Sequence, residues 1–99
     1  MIVRWTPLAI ERLSEIVEYI SIDNPNAATR WAEEVFEKVK RLEKYPESGR
    51  VLPKFNKSDL REIVFNNYRI IYRLDRKQIA VLTVKHGRQV IKKEDLKKK

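Results

Sequence analysis

Residues 60–88 constrain the fold of this chain most. Tyr68, Ile70, Tyr72 and Leu74 alternate with Arg69, Ile71 and Arg73, the period of two that gives a β-strand one apolar and one charged face. The Leu60–Phe65 run precedes them, and Asn66-Asn67 between the two tolerates positive φ, so a tight hairpin is the simplest connection. After one more short turn, Ile79-Ala80-Val81-Leu82-Thr83-Val84 reads as a third strand, closed by the basic tip Lys85-His86-Gly87-Arg88. The second half is therefore expected to form a β-meander.

The first half changes period. Ile2 to Trp5 reads as a short strand, and Thr6-Pro7 then supplies an N-cap and a first-turn proline. Ala9, Leu13, Ile16, Val17 and Ile20 recur at helical spacing, which predicts an amphipathic helix from about Pro7 to Ile22. Asn24-Pro25 repeats the start signal, and Ala28, Trp31, Ala32, Val35, Val39 and Leu42 carry a second apolar stripe to about Tyr45. The two helices form an antiparallel hairpin across a very short turn. Pro46 and Gly49 end it, and Glu47 to Lys57 is an irregular crossing that carries Arg50, Lys54 and Lys57. Strand, helix, helix and three strands predict an α+β fold, with the hairpin covering one face of a small antiparallel sheet. The expected core is Leu13, Ile16, Ile20, Trp31, Val35, Val39, Ile70, Tyr72, Val81 and Leu82. Trp5 and Trp31 sit in periodic apolar patterns and so belong to the core rather than to a base-stacking platform.

A chain of 99 residues is one domain, here residues 1–90, followed by a basic tail at 91–99. With no cysteine and a single histidine, the sequence calls for no metal or other cofactor. No apolar run approaches a membrane span, and Met1 leads directly into Ile2-Val3-Arg4-Trp5 without a signal-peptide core, so a cytoplasmic location is expected. The net charge of +8 is unevenly placed: residues 1–45 carry 7 Lys/Arg against 8 Asp/Glu, residues 46–99 carry 15 against 6. Such asymmetry favours a polyanionic target or an acidic protein partner, although the same lysines also serve as a solubilising surface.

Several short motifs recur in a familiar order. Trp5-Thr6-Pro7, Tyr19-Ile20 before Asp23-Asn24-Pro25, Ala27-Ala28, Pro46-Glu47-Ser48-Gly49-Arg50, Leu60-Arg61-Glu62, the Tyr68 to Arg73 hairpin strand and His86-Gly87-Arg88 together resemble the RelE/ParE superfamily of type II toxin-antitoxin systems. They are most similar to its ParE-type branch, which includes plasmid stabilization proteins. The resemblance implies a toxin neutralised by a small acidic antitoxin, partly disordered when free, that lies over the apolar grooves and covers the cationic sheet half. It also implies one of two activities. RelE-type members enter the ribosomal A site and cut mRNA; ParE-type members act on DNA gyrase and block replication. One fold serves both, so the residues must decide.

Metal-free RNA cleavage needs activation of a 2′-hydroxyl, a proton donor for the leaving oxygen and cations for the phosphate. RelE-type enzymes carry an arginine four residues ahead of the first hairpin tyrosine, where this chain has Val64. Their arginine at the end of the last strand is matched by Arg88, but their tyrosine beyond it is not, since no aromatic residue follows Tyr72. Other nuclease branches use histidine and a carboxylate, for which His86 and Glu47 are the candidates. The leading expectation is therefore gyrase inhibition, with mRNA cleavage through His86 and Arg88 as the alternative and a plain basic nucleic-acid-binding module as the third. That module has no aromatic single-strand motif or recognition-helix pattern behind it. Arg50, Lys54, Arg61, Arg69, Arg73, Lys85 and Arg88 are the candidate target- or partner-binding cations. Some have a competing structural role. Arg69 and Arg73 share a strand face with Glu62 set diagonally between them, and Arg61 falls opposite Tyr72 with its head at the sheet edge. His86 follows an apolar strand beside Gly87, a position as compatible with a structural role as with acid-base chemistry.

Overall fold

Thr6 sets the first helix on the sheet. In the computed structural model, which describes residues 1–52, 55 and 59–97, its hydroxyl accepts the Ala9 N–H (3.2 Å) and donates to the Leu82 carbonyl (3.1 Å). Its own N–H donates to the Val81 carbonyl at 3.0 Å. One buried side chain thus caps α1 (Pro7–Asp23) and ties it to the sheet immediately after β1 (Ile2–Trp5). Asn24 then serves two helices. Its N–H closes α1 on the Ile20 carbonyl, and its Oδ1 accepts the Ala27 N–H at 3.1 Å to open α2 (Pro25–Lys40). The interhelical turn is that single residue, and proline at the first position of each helix needs no N–H partner there.

A 3-10 turn at Arg41–Glu43 follows α2. The chain then forms β2 (Arg50–Val51), β3 (Leu60–Phe65), β4 (Tyr68–Leu74) and β5 (Gln78–His86), and a second 3-10 turn at Lys93–Leu96. The sheet order is β1-β5-β4-β3-β2, and all neighbours are antiparallel except β1 and β5, which run parallel. The α+β class and the meander agree with the sequence reading. The sheet, however, is mixed rather than purely antiparallel, and the crossing after the helices contributes the extra strand β2. Asn66 and Asn67 adopt φ of 48° and 62°, the paired positive values that a two-residue hairpin requires.

Both faces of the sheet are covered. Ala9, Leu13, Trp31, Val35 and Val39 from the helices meet Ile70, Val81 and Val84, with Ile16, Val17 and Ile20 partly buried beside them. Leu42, Tyr72 and Ile79 continue this layer. On the reverse face Leu52, Leu60, Ile71, Ala80, Leu82 and Ile91 form a second cluster with Phe55 and Leu96. Ile71, read from the sequence as part of a charged face, is wholly buried there. Leu82 likewise belongs to the reverse cluster rather than to the helix-facing core. A β-bulge explains how Val81 and Val84, three residues apart, both face the helices: Ile71 opposes Thr83 while Tyr72 opposes Val81, so Leu82 is the extra residue. Residues 91–99, expected as a tail, begin with segments packed on this face: Ile91 and Leu96 join the cluster and Asp95 reaches Lys85 at 3.0 Å. Among the described residues, no helix is long and apolar enough to cross a membrane.

Candidate functional site

The Pro46–Arg50 segment is anchored by two residues projecting from the sheet. Tyr72, fully buried, accepts the Gly49 N–H at 3.0 Å and donates its hydroxyl to the Pro46 carbonyl at 2.8 Å. Its neighbour across the strand pair, Arg61, donates through Nη1 to the carbonyls of Glu47 and Gly49, both at 3.0 Å, and its Nη2 lies 3.7 Å from the Glu47 carboxylate. Burial pushes the Tyr72 phenol up from its ordinary value, against the opposing pull of the Gly49 N–H and the Arg61 charge, while Glu47 adds to the rise. A methyl group at Gly49 would stand 2.6 Å from the Tyr72 hydroxyl and 2.8 Å from the Glu62 carbonyl, so this close approach excludes any side chain. The turn is therefore set by packing from the sheet.

Next to it lies a buried carboxylate. Glu62 is 1% exposed and accepts Nε–H of Arg69 at 2.6 Å and Nε–H of Arg50 on its other oxygen. Both bonds are charge-assisted, and together they satisfy a group that would be very costly to bury alone. The expected lattice is present with one partner exchanged: Glu62 pairs with Arg69 as expected but with Arg50 in place of Arg73, which turns to Asp59 at 2.7 Å. Lys85 is held by Asp95, whose carboxylate also accepts the Lys92 N–H at 2.8 Å. Of the candidate cations, Arg61, Arg69, Arg73 and Lys85 are thus mostly buried and engaged within the chain. The Arg50 side chain remains 65% exposed although Glu62 orients it. Lys54 lies outside the described residues, as does Lys57.

His86 and Arg88 sit at the opposite end of β4 from this turn. The Gly87 N–H donates to the Asn67 carbonyl at 2.7 Å, which ties the end of β5 to the β3–β4 hairpin turn, and the Gln89 side chain accepts the His86 N–H at 2.7 Å. The His86 ring stands edge-on to Tyr68 with 5.5 Å between centroids, and both line a groove of about 220 Å³ with Arg12, Ile16, Tyr19 and Gln89. Burial, with a smaller contribution from Tyr19, raises the pKa of the Tyr68 phenol. His86 and Arg88 are exposed. His86 opposes Tyr68, and Glu47 lies against Arg61, which opposes Tyr72. Four residues of strand separate those positions, roughly 13 Å at 3.3 Å per residue, so His86 and Glu47 do not converge on one phosphate in this arrangement. Val64, at the position where RelE-type enzymes carry a cation, is 59% exposed and apolar.

Sequence reasoning paired Arg61 with Tyr72 but missed Asp59, Asp95 and the Arg50–Glu62 contact. The first two depend on how loops return to the sheet, which no periodicity encodes. The third had a usable signal, because an acidic residue inside an otherwise apolar and basic strand must find cations when buried.

The fold is that of a small α+β domain whose Pro46–Arg50 turn is packed onto the sheet. A family model for the ParE toxin of type II toxin-antitoxin systems (parDE) matches residues 3–91. A curated protein of Sinorhizobium fredii (strain NBRC 101917 / NGR234), named "Putative toxin Y4kP", is 43% identical over 89 residues, covering 88% of each chain. Among solved structures, the chromosomal ParDE system from P. aeruginosa aligns with a TM-score of 0.71 and 22% identity over 87% of this chain and 95% of the other. The toxin-antitoxin complex RelBE2 from Mycobacterium tuberculosis aligns with a TM-score of 0.56 and 22% identity over 86% and 95%. At such identity these two structures speak to the fold alone. The family match and the curated relative carry the assignment: this chain belongs to the ParE toxin family, within the RelE/ParE superfamily of type II toxins.

Proposed function

We propose that this chain is a ParE-type toxin that inhibits DNA gyrase, acts without catalysing a reaction of its own, and is neutralised by an acidic antitoxin. One observation carries the preference over mRNA cleavage: three cations of the meander strands are committed to carboxylates of this chain instead of converging on an open phosphate site. Arg69 serves Glu62, Arg73 serves Asp59 and Lys85 serves Asp95. A nuclease needs such groups unpaired, or paired only with substrate, beside a general base. The match to a ParE family model supports the same reading.

The antitoxin follows from family membership and from charge. An acidic partner relieves the self-repulsion of the basic half, and the structurally similar ParDE and RelBE2 are toxin-antitoxin systems. Induction in cells tests the reading. Replication should stop and the DNA-damage response should begin while bulk mRNA stays intact, and co-expression of the antitoxin should restore growth. Codon-aligned mRNA cuts within minutes of induction would overturn it.

A further inference from the structure

We propose that the groove between the end of α2 and the open edge of β3 docks an extended acidic segment of the antitoxin as an added strand. Its backbone would meet Val64, and its carboxylates Lys38, Arg41 and Arg50. The inference rests on the antitoxin reading for the source of the segment; the docking geometry comes from the fold.

The open edge is a consequence of where β2 stops. Phe65 and Tyr68 close a two-residue turn, so they exchange hydrogen bonds, and Ile63 and Arg61 follow them in bonding toward β4. Leu60, Glu62 and Val64 therefore point their N–H and C=O groups outward; the Leu52 N–H donating to the Leu60 carbonyl at 3.0 Å confirms the direction. Arg50 covers Glu62. One step further, the chain leaves the sheet: the Gly49 N–H turns down to the Tyr72 hydroxyl and the Ser48 N–H to the Tyr45 carbonyl. Among the described residues none pairs with the outward backbone edge of Val64, and its side chain is exposed. An extended peptide matches such an edge, because it offers both donors and acceptors at strand spacing.

The surroundings select for acid. The groove holds about 360 Å³ and is lined by Lys38, Arg41, Ser48, Arg50, Ile63 and Val64, with Glu62 beneath. Glu62 is already saturated by two arginines, so the lining presents an excess of positive charge. Lys38 lies over the Phe65 ring, 4.9 Å from its centroid, on the helix-facing side of the strand. Arg50 pairs with Glu62 on the reverse side. Neighbouring side chains of an added strand point to opposite faces, so consecutive acidic residues would meet Lys38 and Arg41 on one side and Arg50 on the other. Glu34 and Glu37 share an adjoining hollow with Lys38 and Arg41, yet among the described residues neither cation is in an ion pair. A nucleic acid strand would use these cations but has no use for paired N–H and C=O groups, which favours peptide.

The test uses the full chain, free and in complex with the antitoxin co-expressed from the same operon. The exchange rate of the Val64 amide should fall about tenfold or more on complex formation, as a new strand pair protects it. Lys38→Glu/Arg41→Glu should weaken antitoxin binding about tenfold or more, while Arg76→Glu/Lys77→Glu, in the exposed turn between β4 and β5, should change it less than about twofold. Thermal melts should confirm that both double variants remain folded. A complex that forms with Val64 exchange unchanged, or is indifferent to the Lys38/Arg41 reversal, overturns the docking site and leaves the toxin reading standing. Failure of the chain to form any antitoxin complex removes both. A short duplex oligonucleotide that shifts Lys38 and Arg41 resonances more strongly than the antitoxin does would reassign the groove to phosphate.

Discussion

Replacing Gly49 by alanine should destabilise this protein far more than such a substitution in an ordinary turn. Gly49 does not have a positive φ, so the cost is not one of backbone preference. It is one of space. The new methyl would meet the Tyr72 Oη at 2.6 Å, the Tyr72 Cε1 at 2.7 Å and the Glu62 carbonyl at 2.8 Å, all inside van der Waals contact. The tyrosine ring is fully buried and the Glu62 carbonyl belongs to the sheet, so neither neighbour can swing away. Overpacking of a rigid site costs about 1–3 kcal/mol. Displacing Tyr72 also weakens its bonds to Gly49 and Pro46, each worth roughly 1 kcal/mol. The sum, about 3–5 kcal/mol, is a large part of the 5–15 kcal/mol that holds typical domains folded. At about 4–8 °C per kcal/mol for a domain of this size, Tm should fall by roughly 12 °C or more. Thermal unfolding followed by circular dichroism reads this directly. Tyr72→Phe removes the nearest contact, so alanine at 49 should cost about 1 kcal/mol less in that background. A Gly49→Ala protein melting within about 3 °C of wild type would refute the packing account of the turn.

Three further outcomes follow from the packing and the ion pairs. Val35→Asp places an unpaired charge at a wholly buried position between helix and sheet, and the variant should be largely unfolded by near-ultraviolet circular dichroism at 25 °C. Glu62→Gln removes the charge that Arg50 and Arg69 share and should cost about 2–4 kcal/mol in denaturant unfolding, with little change in m-value. Tyr68 and Tyr72 have raised pKa values in the fold, so the folded state retains their protons longer than the unfolded chain does. Their contribution is complete below about pH 10 and is lost as pH rises through the folded-state values, so stability should decline above pH 10, and Tyr72→Phe should shallow that decline.

Local rules made most of the backbone legible. Thr6-Pro7 and Asn24-Pro25 marked both helix starts because a capping side chain and a first-turn proline act within four residues of each other. Asn66-Asn67 marked the hairpin for the same reason. The bulge at Leu82 was invisible, since Ile79–Val84 reads as an unbroken apolar run and nothing within it says which residue goes unpaired. The reverse-face core was equally hidden: Ile71 looked like an interruption in a charged face until Leu52 and Ile91 returned to cover it. The candidate cations were identifiable as residues, but their partners Asp59 and Asp95 come from outside the meander strands, at separations that charge counting along the chain does not resolve.

Purified DNA gyrase provides the most direct measurement of the central claim. With relaxed plasmid, ATP and increasing amounts of the chain, supercoiling should be inhibited and enzyme-linked broken DNA should accumulate, and addition of the antitoxin should reverse both. The same preparation should leave mRNA on programmed ribosomes intact. Unimpaired supercoiling, together with codon-aligned mRNA cleavage that Arg88→Ala slows by about 10²-fold or more, would contradict the account and assign the chain to phosphodiester chemistry at the His86–Arg88 tip.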